Sequence, residues 1–143
     1  VYDLGGIPRC MFGNFAGYKK AMEIADSPNI GVCLCVGCWL EGGEKFGNVL
    51  TDLADFVQQK RVHIVHFRNV SSPLPYFEET LLEDGYMDMY KIMDVLVKNG
   101  YDGTIYVDHV LRYDEQTGGE KTSFAYATGY MKGLMAAAYH QQK

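Results

Sequence analysis

Apolar residues recur along this chain in two alternating periods. Phe15, Tyr18, Met22 and Ala25 stand three or four residues apart, which puts them on one face of a helix over residues 15–25. Asn14 occupies the N-cap position, and Ser27-Pro28-Asn29 ends the segment. The period then changes. Ile30-Gly31-Val32-Cys33-Leu34-Cys35-Val36 is a continuous apolar run of strand length. A Gly-rich loop holding Trp39 is expected over residues 37–43. Helical spacing returns over residues 45–59, with Phe46, Val49, Leu50, Leu53, Phe56 and Val57 as its apolar stripe. Lys60-Arg61 suits the negative end of that helix dipole.

The alternation repeats twice more. A strand over residues 62–67 leads into a long loop, about 68–84, that contains Pro73 and Pro75. Loops of that length are uncommon unless they serve a function. A helix over residues 87–98 is stopped by Asn99-Gly100, which suits a left-handed cap. A strand over residues 104–109 precedes a polar loop, 112–121, and an Ala-, Met- and Tyr-rich helix over residues 123–140. The predicted order is α-β-α-β-α-β-α. Regular alternation of this kind makes a parallel sheet with right-handed crossovers, an α/β fold. In such sheets the functional site lies beyond the C-terminal ends of the strands.

Chemistry collects at those ends. The first strand finishes in thiols at Cys33 and Cys35, the second in His66 with Arg68 beyond it, and the third in Asp108 and His109. Each has a bland explanation. A strand cysteine is commonly a small buried hydrophobe. A strand histidine, such as His63, is commonly a satisfied core residue, and a terminal aspartate commonly caps a turn. Three coincidences at equivalent depth point instead to one constellation. Thiolate, imidazole and carboxylate suit a borderline divalent metal such as Mn, Fe or Zn, and are a poor cage for Ca. Arg68 would point to the same side as His66 and could hold a substrate carboxylate bidentately. Tyr126, near the start of the last helix, could face the same mouth or pack in the core.

The cysteines admit other readings. Cys35-Val36-Gly37-Cys38 spells C-x-x-C. A thioredoxin-like motif should open a helix, and Trp39-Leu40-Glu41-Gly42-Gly43 does not read as a helix start. A zinc knuckle needs a second ligand pair, which Cys10 alone does not supply.

Length and charge narrow the class. With 143 residues the chain is long enough for one ordinary domain, and at 48% hydrophobic and 22% charged it is globular. Net charge is −5 with no basic stripe, which argues against nucleic acid. No apolar run approaches the roughly 20 residues of a membrane span. Four cysteines, three crowded at 33, 35 and 38, and the absence of a secretory leader at Val1-Tyr2-Asp3-Leu4 suggest a reducing, cytoplasmic location.

Several stretches resemble a known family. Leu4-Gly5-Gly6-Ile7-Pro8-Arg9, Cys35-Val36-Gly37, His66-Phe67-Arg68-Asn69, Asp84-Gly85-Tyr86-Met87-Asp88-Met89-Tyr90 and Val107-Asp108-His109 look like the C-terminal portion of D-mannonate dehydratase, in order and in spacing. The resemblance implies the C-terminal part of a TIM (β/α)8 barrel of the xylose-isomerase-like kind. It implies Mn²⁺ or Fe²⁺ and the dehydration of D-mannonate, a small-molecule sugar acid, to 2-dehydro-3-deoxy-D-gluconate in hexuronate (glucuronate) catabolism. It implies Cys35, His66 and Asp108 as metal ligands, His109 as the catalytic acid/base and Tyr126 as the nearest match to a catalytic tyrosine, with Phe124 and Ala125 beside it. A homodimer is expected of the full-length enzyme. A further ligand histidine of the family lies in a His-Pro-Asp-Asp-Pro segment ahead of Gly-Gly-Ile-Pro-Arg, before Val1. A barrel takes about 200 residues or more. Three βα units are therefore expected to be a partial domain, completed by residues outside this sequence or by a second fragment. Two alternatives accompany this reading: another metal-dependent sugar isomerase or epimerase on the same barrel, and an inactive fragment.

Overall fold

A computed structural model describes residues 12–143, so the Gly-Gly-Ile-Pro-Arg stretch and Cys10 lie outside the described residues. The elements run in the order α1 (Phe15–Ala25), β1 (Val32–Cys35), α2 (Val36–Gly42), a 3₁₀ turn (Gly43–Lys45), α3 (Val49–Gln58), β2 (Val62–His66), α4 (Met89–Lys98), β3 (Thr104–Tyr106), a second 3₁₀ turn (Glu115–Thr117) and α5 (Gly119–His140). The three strands form one parallel sheet in the order β1-β2-β3. No helix among the described residues is long and apolar enough to cross a membrane.

Helix α1 has the bounds its apolar spacing predicts, and Asn14 caps it by accepting a hydrogen bond from the Gly17 amide at 2.9 Å. Several expectations need correction. Residues 37–43 are not a loop, because α2 starts at Val36 immediately after β1. Helix α3 starts at Val49 rather than 45. Asn48 caps it through the Leu50 and Thr51 amides, and Phe46 buries itself from the preceding turn against Trp39, ring centroids 4.4 Å apart. Arg61, just past the end of α3, has a further task. Its Nη1 donates to the carbonyl oxygens of Ser27 and, at 2.7 Å, Ile30, tying the α1–β1 turn to β2. The final helix is one turn longer than predicted, from Gly119, and β3 ends at Tyr106. Asn99 and Gly100 close α4 as expected, with Gly100 at φ +69°.

Alternation along the strands decides which face does what. Leu34 and Val65 point to the helix side and are fully buried with Phe56, Ile92, Met93 and Leu96. Burying each such side chain contributes about 1.5–3 kcal/mol. Cys35, His66 and Tyr106 lie in register across the three strands. An irregularity between β1 and β2, where Val32 pairs with Val62 but Cys33 pairs with Ile64, skips His63 and sets that register. His63 is exposed rather than a core residue.

Candidate metal centre

The in-register pairing brings Cys35 beside His66, and the chain beyond β3 returns Asp108 to the same place. The Cys35 thiol donates to Asp108 Oδ2 at 3.4 Å, and His66 Nδ1 lies 3.7 Å from Asp108 Oδ1. Cys35, His66 and Asp108 each offer one ligand atom, all within 4.8 Å of one another. Donors about 2.0–2.3 Å from a shared ion stand roughly 3–4 Å from each other, so these residues fit a divalent cation. Their chemistry, one soft thiolate, one imidazole and one hard carboxylate, fits a borderline metal.

The thiols around this group act on one another. Cys35 is held well above the ordinary thiol range, chiefly by its side-chain interaction with Cys38, with burial adding to the effect. The same interaction lowers Cys38. The helix start that the C-x-x-C redox reading demands is present after all, in α2. Cys35 is nonetheless turned toward Asp108 as well as toward Cys38. Cys33, on the same strand, reaches His66 Nε2 at 3.4 Å.

His109 follows Asp108 and stands between two carboxylates. Its Nε2 is 3.6 Å from Asp108 Oδ2 and its Nδ1 is 3.5 Å from Glu79 Oε1. Tyr126 shares a cleft with it, lined also by Phe67, Arg68, Thr80 and Leu82. The Tyr126 hydroxyl donates to Glu83, which raises its phenol to about 12. Phe124 packs against the core instead, so among the candidates on that turn Tyr126 is the one with a hydroxyl at the cleft.

Arg68 departs from expectation. It is 4% exposed, and its guanidinium is already claimed by two carboxylates. Nε donates to Glu79 Oε2 at 2.8 Å, Nη2 donates to Glu79 Oε1, and Nη1 donates to Glu41 Oε1. Arg68 thus anchors these two glutamates, and a substrate carboxylate would compete with them for its guanidinium. Gly37 permits this arrangement, since a Cβ there would stand 2.6 Å from Arg68 Nη1. Glu41 and Glu79 were not singled out from sequence. The available signal was Arg68 itself, since a buried guanidinium demands carboxylates.

The Asp-Gly-x-x-Asp-Met-Tyr motif also acquires a physical role. Asn69, 1% exposed, donates to the carbonyl oxygens of Leu82 and Met87, both at 2.8 Å, and accepts from the Val70 amide. Gly85 leaves that amide its space, because a Cβ there would meet Asn69 at 2.1 Å. Tyr86 donates to the Leu40 carbonyl at 2.7 Å, and Asp88 caps α4. The motif thus closes the loop after β2 onto α2 and starts the next helix.

Fold and site together define a parallel α/β protein in which Cys35, His66 and Asp108, three residues able to hold a cation, gather beyond the C-terminal side of the sheet. The sequence model of the D-mannonate dehydratase (UxuA) family matches residues 2–143, and the chain belongs to that family. It is 31% identical over 144 residues to the mannonate dehydratase of Lactococcus lactis subsp. cremoris, covering 95% of this chain and 39% of that protein. Over 111 residues it is 33% identical to the mannonate dehydratase of Enterococcus faecalis, covering 76% and 30%. Its fold matches the crystal structure of mannonate dehydratase from Streptococcus suis serotype 2 with a TM-score of 0.81 at 23% identity, over 99% of this chain and 41% of that one. The chain thus spans about two fifths of the length of the L. lactis relative.

Proposed function

We propose that the protein containing this chain is a mannonate dehydratase, a hydro-lyase that converts D-mannonate to 2-dehydro-3-deoxy-D-gluconate and water in hexuronate catabolism, in the cytoplasm. The observation that carries this reading is the convergence of Cys35, His66 and Asp108 beside His109 in a chain of that family. The three βα units are read as the C-terminal part of a (β/α)8 barrel, and a further metal ligand is expected from outside the described residues. Cys33, Cys35 and Cys38 are all free thiols, in keeping with a reducing compartment.

Mn²⁺ or Fe²⁺ held by Cys35, His66 and Asp108 would supply Lewis-acid stabilisation of the negative charge that develops when C2 of a sugar acid loses its proton. The elimination then needs two proton movements, off C2 and onto the hydroxyl that leaves C3, and the enol so formed tautomerises to the 2-keto-3-deoxy acid as C3 takes up a proton and the C2 hydroxyl gives one up. His109 and Tyr126 face one cleft and divide that work. The phenol of Tyr126 carries its proton at neutral pH, as tyrosines do, so it can donate to the leaving hydroxyl once substrate replaces Glu83 as its partner. His109 then takes the C2 proton. Positioned acid–base groups of this kind contribute roughly 10²–10⁴-fold.

The test is product analysis. Incubated with D-mannonate and Mn²⁺, the full-length protein is expected to form a 2-keto-3-deoxy acid. A ketose product instead would assign the protein to the sugar isomerases, and no turnover would overturn the reading. His109→Asn should lower kcat by roughly 10²–10⁴-fold with metal still bound. An unchanged kcat would remove His109 from the chemistry.

A further inference from the structure

From the same geometry we infer that Glu79 is a positioning residue for His109, held in place by Arg68; this rests on the dehydratase reading for His109's role. His109 lies on the irregular segment after β3 and is exposed, and its own segment offers its ring the adjacent Asp108, 3.6 Å from Nε2. Glu79 is the opposite case. Both of its oxygens are engaged by the buried Arg68, and its backbone forms an antiparallel bridge with Val70. Next to that bridge the Glu78 amide donates to Ser71 Oγ at 2.8 Å, and Phe77 lies under the guanidinium with 5.5 Å from Arg68 Cζ to the ring centroid. Glu79 therefore presents Oε1 from a fixed place, 3.5 Å from His109 Nδ1.

Asp108 stands near the opposite ring nitrogen. With Asp108 committed to the metal group, Glu79 is the carboxylate left to set the direction of the imidazole. A carboxylate that holds one nitrogen of a catalytic histidine fixes which edge of the ring faces the reacting carbon. The long loop after β2 then has a defined task. It is a braced arm that carries Glu79 across to a residue of the next βα unit.

The full-length enzyme carrying Glu79→Ala should lose roughly 10²-fold in kcat, the size of effect a misplaced catalytic group has, with KM within about twofold and metal stoichiometry unchanged. Glu79→Gln, which keeps an acceptor oxygen, should restore most of kcat. Glu41→Ala also strips Arg68 of a carboxylate but does not touch His109, and should leave kcat within about threefold of the parent. Equal losses for Glu41→Ala and Glu79→Ala, or a Glu79→Ala enzyme within twofold of the parent, would overturn the inference. If Glu79→Ala does not fold, Arg68→Met/Glu41→Gln/Glu79→Ala removes the buried charge together with both its partners and carries the same expectation. A crystal structure of the variant answers independently of any substrate. The His109 ring should be turned away or split between rotamers, and a ring in its present direction would refute the role even if mannonate is not turned over.

Discussion

The segments that follow β2 and β3 occupy equivalent places in successive βα units, and each contains an arginine paired with a glutamate. They could hardly be built more differently. After β2, Phe67, Arg68, Asn69 and Val70 are all buried, and Arg68 and Asn69 between them bind two glutamates, two carbonyl oxygens and an amide. After β3, residues 109–118 are largely exposed, and the Arg112–Glu115 pair sits with side chains 71% and 72% exposed. The segment rich in packing carries no proposed proton carrier, and the sparse one carries His109. Precision at the histidine is therefore borrowed from the neighbouring unit, through Glu79.

Substitutions on the two sides should separate sharply. Arg68→Ala leaves Glu41 and Glu79 without their counterion in a partly buried place and should cost roughly 2–4 kcal/mol of stability, readable by chemical denaturation. Asn69→Ala strands the Leu82 and Met87 carbonyls and should cost about 2–3 kcal/mol in the same experiment. Asp88→Ala, which removes only the α4 cap made to Tyr90, should cost about 1 kcal/mol. Arg112→Ala breaks a solvent-screened pair and should stay within about 0.5 kcal/mol of the parent. A loss at Arg112 as large as that at Arg68 would erase the contrast.

What the sequence shows on its own follows the range of the interactions. Helix α1 was legible to its ends, because its stripe, the Asn14 cap and the Ser27-Pro28 stop are all local. The strands and their chemical ends were legible because period and residue type coincide there. Helix α2 was not. Gly37, Gly42 and Gly43 signal a loop, yet Gly37 is small because Arg68, far along the chain, packs on it. The start of α3 was misplaced because Phe46 keeps helical spacing while packing from a turn onto Trp39. Among the site residues, Cys35, His66, Asp108 and His109 were visible at strand ends. Glu41 and Glu79 were not, since the guanidinium that selects them lies 27 and 11 residues away.

The metal content of Cys35→Ala in the full-length protein, measured beside the parent after reconstitution with Mn²⁺, bears most directly on the centre of this account. Cys35 offers one of the three donor atoms, and its neighbours in the chain, Leu34 on β1 and Val36 at the start of α2, are fully buried apolar residues that cannot replace it. Loss of stoichiometric metal together with loss of 2-keto-3-deoxy acid formation is the predicted result. A variant that keeps one firmly bound Mn²⁺ and full turnover would contradict the site.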